Sequence, residues 1–275
     1  MTEIESVARA YKYLEKRLPF APETLIVLGS GLGAIADTLD NFITIPYGDI
    51  PGIKPSTTHY HKGTLMVGTI LGKKVAVMSG RIHLYEGNTP HDVVRLIRAL
   101  SLAGLKRVIL TNSAGGVNPN YKVGDLVRII DHVSLFVPTP IEGDIRREIG
   151  TKLDFPDMSE VYDLKWGETV DKIAEDEGIP LKKGVYVQLK GAQYETPAEI
   201  KYLSNIGIDL VGMSTVIEAM ASRHLGLSVC AFSVVTNMAS GLSEVKLSHE
   251  DVKVEAIKAS DRLKTIIMKL IEKFD

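Results

Sequence analysis

The chain is punctuated by short runs that are apolar at consecutive positions, each stopping at a glycine or a polar cluster. Residues 24–28, 63–71, 74–79, 107–110, 125–130, 184–189, 209–211 and 227–235 are runs of this kind. A strand that is apolar on both alternating faces has to be covered on both, which calls for a sheet sandwiched by helices. Helical spacing supplies the cover. Ile4, Val7, Ala8, Tyr11, Leu14 and Leu18 predict a helix over 3–18, and Pro90 opens another that carries Val93, Val94, Ile97, Leu100 and Leu102. Thr196-Pro197-Ala198-Glu199 is a capping box at a further helix start, and Ser248-His249-Glu250-Asp251 begins the last helix, running to about Lys273. A Gly72-Lys73 turn joins the runs 63–71 and 74–79. With no linker or low-complexity stretch to divide it, the chain reads as a single α/β domain over residues 1–275, with a central mixed β-sheet flanked by helices.

Ligands of open α/β sheets bind beyond the carboxyl ends of strands. Here those ends carry six clusters, at 29–33, 80–87, 111–116, 191–196, 212–215 and 236–237, which suggests one composite site. The richest is Ser79-Gly80-Arg81-Ile82-His83-Leu84-Tyr85-Glu86-Gly87. The fork of Arg81 suits an oxyanion and His83 adds a donor, while Tyr85 and Glu86 suit the hydroxyls of a sugar. The anion must be small and local. With 32 Lys and Arg against 34 Asp and Glu, no basic excess exists to neutralise a nucleic-acid backbone. The single cysteine, Cys230, lies within an apolar run, which rules out a disulfide framework and reads as a buried, inert thiol. No apolar stretch approaches the ~18 residues of a membrane span. The N-terminus lacks the blocks of a signal peptide, so a cytoplasmic protein is expected.

Other motifs admit several chemistries. Gly29-Ser30-Gly31-Leu32-Gly33-Ala34 after a strand is formally a dinucleotide fingerprint, with Asp49 at the spacing of a ribose-binding acid. Asp49, however, sits in a proline-flanked loop. The same glycine loop can instead hold one small phosphate through backbone N–H groups and Ser30, or be a tight turn. His59-Tyr60-His61 has no cysteine or carboxylate at ligand spacing, so no metal is expected, and His61 reads as an anion contact or a hinge residue. The small residues of Thr111-Asn112-Ser113-Ala114-Gly115-Gly116 let backbone N–H groups face a ligand. In Gly191-Ala192-Gln193-Tyr194-Glu195-Thr196, Tyr194 can cover a flat heterocycle. Glu195 can accept from ring N–H groups or simply complement a helix N-terminus. Asn237 ends an apolar run, where its amide needs a partner in backbone or substrate.

Taken in order, these motifs resemble the trimeric, 6-oxopurine-preferring class of purine nucleoside phosphorylases over nearly the whole chain. The resemblance implies a sheet that is partly barrel-like, and reversible phosphorolysis of inosine and guanosine. It assigns phosphate to Ser30, Arg81, His83, Ser214 and the backbone of Ser113, a set to which His61, read above as an anion contact, is added. It gives the ribose to Tyr85, with Glu86 bridging the two. Tyr194, Glu195, Val211, Gly212 and Met213 would line base and ribose, Asn237 would bond the purine, and His249 would reach the 5′-hydroxyl. Asn237, His83 and Glu86 would carry catalysis, and Phe155 would enter a neighbouring subunit's site in a homotrimer. Inorganic phosphate would be the co-substrate, with no cofactor. The chain departs from the family pattern at Ser113 (commonly alanine), Ala192 (proline) and Tyr194 (phenylalanine). A methylthioadenosine phosphorylase would favour aspartate in place of Asn237 and an apolar residue in place of His249. An NAD-dependent oxidoreductase using residues 29–34, or a nucleoside-binding protein without activity, are the readings of other classes.

Overall fold

The apolar runs form strands whose alternate side chains enter two different cores. In β1 (Thr24–Val27), Leu25 and Val27 pack into one core and Ile26 into the other. β4 (Lys73–Ser79), β5 (Arg107–Gly116) and β9 (Ser228–Met238) divide in the same way: Ala76 against Val77, Val108 against Ile109, Ala231 against Phe232. The first core is closed by α1 (Glu3–Glu15), α2 (Pro90–Leu102) and α6 (Val216–His224). The second is closed by α4 (Leu164–Asp176) and α7 (His249–Glu272). These contacts come from a computed structural model, which describes residues 1–55, 63–151, 153–242 and 249–274, with backbone alone at 249–253.

The remaining strands are β2 (Asp40–Pro46), β3 (Thr64–Ile70), β6 (Leu126–Val133), β7 (Leu181–Gln188) and β8 (Leu210–Gly212); α3 (Ile145–Glu148) and α5 (Pro197–Asn205) complete the helices named here. Among the described residues the sheet has nine strands in the order β2-β3-β4-β1-β5-β8-β7-β6-β9, and β9 returns to pair with β5. That last pairing closes β5, β8, β7, β6 and β9 into a ring, while β1 to β4 extend from it as an open arm. The sheet is mixed: β1 runs parallel to β4 and β5, whereas β5–β8 and β6–β9 are antiparallel. The expected mixed, partly barrel-like sheet between helices is the observed one.

Several boundaries differ from expectation for physical reasons. The opening helix stops at Glu15 and not at residue 18: Lys16 caps it, and the Arg17 N–H tightens to an i→i−3 bond with the Leu14 carbonyl. β5 runs on through Gly116, past the expected end at 110, since its small residues lie flat along β9. β2 is an edge strand with mostly exposed side chains, so it has no apolar run to betray it. The glycine loop leads into a 3-10 helix, Gly33–Thr38, and not an α-helix. β2 then returns antiparallel to β3, and Asp49 falls in a second 3-10 turn. The parallel strand and helix dipole of a dinucleotide fold are therefore missing from this part of the chain. Cys230 is buried as expected, and burial pushes its thiol up to about 12.

A buried charge cluster joins the helical layer to the loops around it. Arg98 donates to Glu3 Oε1 at 3.1 Å and to the Pro140 carbonyl at 2.6 Å, and Arg95 donates to Glu3 at 2.9 Å and to Asp92 at 2.8 Å. Burial would raise the Asp92 carboxyl, but hydrogen bonds from Thr89, Lys54 and Arg95 outweigh it and hold the group well below the usual carboxylate range. Replacing Arg98 by Met removes its bonds to Glu3, His91 Nδ1 and the Pro140 carbonyl while Arg95 still neutralises Glu3. We expect a loss of about 1–3 kcal/mol, read as a lower urea midpoint.

Candidate active site

β5 pairs with β1 only as far as Leu110, and with β8 only from Gly115 onward. Between them, Thr111–Ala114 have β9 on one edge and, among the described residues, no strand on the other. That open edge is where the polar clusters meet. The glycine loop is laid across it: a Cβ on Gly29 would stand 2.8 Å from the Asn112 Cα and 2.9 Å from the Thr111 carbonyl oxygen, so only glycine fits. The Gly29 N–H donates to Thr111 Oγ1 at 3.1 Å, and that hydroxyl donates to the Val27 carbonyl at 3.0 Å. Ser113 Oγ donates to the Ser30 carbonyl at 3.1 Å.

Beneath this edge lies a fully enclosed polar network. Arg81, 1% exposed, donates to Glu218 Oε2 at 3.3 Å, Thr215 Oγ1 at 3.1 Å and the Val27 carbonyl at 3.3 Å, and also to the Thr111 carbonyl. Glu218 takes the Thr215 N–H at 2.6 Å, which holds Thr215 at a φ of 86°, a left-handed conformation disfavoured for a β-branched residue. Asn112 donates to Thr215 Oγ1 at 2.9 Å and accepts from Ser233 at 2.7 Å. With both its lone pairs taken by Arg81 and Asn112, the Thr215 hydroxyl directs its own proton to Ser214 Oγ, 3.2 Å away. Ser214 thus accepts from within and has its own proton left to donate, with the Tyr186 phenol also beside it. Glu218 and Thr215 were not anticipated. Their signal was the spacing Thr215-Val216-Ile217-Glu218, the same capping pattern that marked Thr196. Ser233 and the amide of Asn112 had none, being hidden in an apolar run and a small-residue stretch.

His83, Tyr85 and Glu86 form a second group. The Glu86 carboxylate accepts from the His83 backbone N–H at 2.8 Å and lies 3.0 Å from His83 Nδ1. The rings of His83 and Tyr85 stack with centroids 4.6 Å apart. Burial, reinforced by the Arg81 charge, lowers the His83 pKa, although Glu86 opposes the shift. Tyr85 in turn reaches the base-side loop. A Cβ on Gly191 would strike Met213 Sδ and come within 3.3 Å of Tyr85 Cδ1.

The base-side residues converge through a bulge. Ala114 pairs with Val235 but Gly115 pairs with Asn237, so Thr236 has no opposite number and the strand end is re-aimed. Asn237 Oδ1 accepts from Thr236 Oγ1 at 3.1 Å and Nδ2 donates to the Met238 carbonyl at 3.3 Å. A Cβ on Gly115 would lie 3.2 Å from Val211 Cγ1 and 3.3 Å from Asn237 Nδ2, which puts Val211 and Asn237 on either side of that glycine. Gly212 rests on the Tyr186 ring. Glu195, just before α5, is buried, and burial followed by the Glu199 charge raises its pKa. Tyr194 is 37% exposed, and burial, Glu195 and Tyr85 raise its phenol.

The remaining expected residues are His61, His249 and Phe155, the last expected in a neighbouring subunit's site. His61 and the His249 side chain lie outside the described residues. Phe155 is 88% exposed and lines a separate cavity of about 580 Å³ with Ile141, Arg146, Met158 and Met220. Among the described residues, no group of three His, Cys, Asp or Glu side chains could hold a metal ion, and no helix is long and apolar enough to cross a membrane.

Residues 23–272 match the model of the phosphorylase superfamily. The chain belongs to that family. It is 38% identical to purine nucleoside phosphorylase 1 of Bacillus subtilis (strain 168), over 98% of this chain and 97% of the relative. It is 35% identical to the Bos taurus purine nucleoside phosphorylase, over 94% and 92%. A Schistosoma purine nucleoside phosphorylase solved in complex with hypoxanthine superposes with a TM-score of 0.92 at 38% identity, covering 100% of this chain and 99% of that one. The Schistosoma mansoni enzyme in complex with inosine gives 0.92 at 37%. The family's fold and the ring-closed sheet described above are the same architecture.

Four buried or partly buried histidines weaken this fold on the acid side of neutrality. His83, His91, His132 and His224 all have their pKa lowered by burial first of all. Their folded values lie below the unfolded value of about 6.5, so their contribution is fully present above that pH. It is lost as pH falls below it, because the unfolded chain then binds more protons. Glu195 runs the other way, but as one group. Thermal midpoints measured from pH 8 to pH 5 are expected to fall on the acid side of about 6.5.

Proposed function

We propose that this chain catalyses the reversible phosphorolysis of purine nucleosides, inosine and guanosine first among them, to free base and ribose 1-phosphate. The observation that carries the reading is the run of β5 from Ser113 to Gly115. Within three residues of one strand, it passes from the glycine loop, suited to an oxyanion, to the Asn237 amide, suited to a heterocycle. Phosphate would sit on the loop with the Ser113 N–H, Ser214, His83 and Arg81, the last acting from its buried network, with His61 completing the set. The ribose would lie against Tyr85, and the base between Tyr194, Glu195, Val211, Gly212, Met213 and Asn237. His249 would take the 5′-hydroxyl.

In this reading the C1′–N9 bond breaks with its electron pair passing to the purine, and a phosphate oxygen forms the new bond at C1′. Asn237 stabilises the charge that builds at N7 and O6, Glu195 accepts from the N1 side, and Glu86 fixes His83 beside the phosphate. Holding both reactants in one site can supply about 7–11 kcal/mol of the barrier. Phosphate is itself the nucleophile, so we assign no cofactor. We place the enzyme in the cytoplasm, where its small substrates are free. An amide at Asn237 favours a 6-oxopurine over the exocyclic amine of a methylthioadenosine.

Inosine incubated with and without phosphate tests the reading directly. We expect hypoxanthine only when phosphate is present, and release that ignores phosphate would overturn it. Asn237→Ala is expected to lower kcat by about 10²–10³, the size of a lost oxyanion donor.

We also propose a homotrimer in which each Phe155 closes a neighbour's ribose site. Its support is an aromatic ring 88% exposed, a poor arrangement for a lone chain in water, beside a cavity that mixes Ile141, Met158 and Met220 with the charged Glu142, Asp144, Arg146, Arg147 and Asp154. A sizing column should give three copies, and Phe155→Ala should raise the nucleoside KM more than the phosphate KM. Elution as a monomer with full activity would remove this part.

A further inference from the structure

We propose that the Ser113 side chain is a positioning residue for the phosphate loop, acting separately from its backbone. The inference rests on the phosphorolysis reading for the identity of the anion, but its geometry stands on three features of β5.

The first is strand alternation. Within a strand, the N–H and C=O of one residue point to the same edge, and residues two apart share that edge. The Thr111 carbonyl is turned toward Arg81, on the β1 side. Ser113 is two residues further, so its N–H faces the same side, beyond the last β1 pairing at Leu110. A backbone donor therefore stands at the open edge.

The second is the Ser30 carbonyl. An oxygen of this kind beside an anion site repels the ligand, and the glycine on either side of Ser30 leaves its peptide planes free to turn. Ser113 Oγ holds that carbonyl at 3.1 Å. Because the peptide is planar and trans, drawing the oxygen toward β5 turns the Gly31 N–H to the opposite side. The φ of 78° at Gly31 lets the chain continue from that orientation.

The third is the bond from Gly29 N–H to Thr111 Oγ1, which fixes the loop's first residue. The loop is thus fastened at both Gly29 and Ser30, by hydroxyls two positions apart on one strand. Alanine in place of Ser113 would keep the backbone donor and the first fastening, and lose the second. The hydroxyl pre-organises the loop to present donors to a phosphate, and its loss appears in phosphate affinity and not in nucleoside affinity.

The test is Ser113→Ala in the full chain, compared with the unsubstituted protein. Initial rates with phosphate varied at saturating inosine, and the reverse, should show the phosphate KM raised about three- to tenfold, the worth of one neutral hydrogen bond. The inosine KM should stay within about twofold. The rise in thermal midpoint on adding phosphate, a readout independent of turnover, should shrink in the variant. An unchanged phosphate KM and an unchanged phosphate-induced shift would overturn the inference, as would equal changes in both KM values. If the unsubstituted chain releases hypoxanthine without phosphate, the reaction reading fails. The thermal shift with phosphate alone would still decide whether Ser113 shapes an anion site.

Discussion

The ion pair between Arg81 and Glu218 holds the catalytic end of the molecule together. Two opposite charges about 1% exposed are tolerable only because every neighbouring element answers them. Arg81 gathers carbonyls from the end of β1 and the middle of β5, and Glu218 clamps the first turn of α6. Thr215 lies between the two charges with its backbone forced left-handed. Three chain segments far apart in sequence are thereby registered at one point. The Ser214 hydroxyl inherits its orientation from charges that it does not touch.

Ring closure of the sheet supplies the other half of the arrangement. β5 serves two partners along one edge, β1 before Leu110 and β8 after Gly115, and the gap between them becomes the site. On its other edge β9 follows it throughout, with one slip of register that carries Asn237 to the base side. A regular sheet would have buried these backbone donors in ladder bonds. The local failure of pairing makes them available.

Most of the architecture could be read from consecutive apolar positions, because strands covered on both faces have no alternative composition. The edge strand β2 could not, since its side chains face water. Nor could the glycine loop's 3-10 exit, because whether Gly33–Thr38 winds into an α-helix depends on packing against α7 and not on its own residues. The site was legible in its chemical groups and not in its supports. Arg81, His83, Tyr85 and Glu86 advertised themselves by type and spacing. Asn112, Ser233 and Glu218 matter through contacts of 100 residues or more in sequence separation for Asn112–Thr215, Asn112–Ser233 and Arg81–Glu218. No local pattern records such contacts. Ser113 was visible as a departure from the family pattern, but the use of its hydroxyl depends on where Ser30 comes to rest.

Gly115, Gly191 and Gly212 lie among the base-side residues, where a methyl group would strike Met213 at the second and Tyr186 at the third, and crowd Val211 at the first. The close approach of these segments depends there on side chains that are absent. Such walls have nothing further to give up: a substitution at any of the three can only fill the space or push its neighbour. The route to a roomier pocket therefore runs through the larger side chains opposite, Met213 and Tyr194 above all. In evolutionary terms this site can be narrowed from many positions but widened from few.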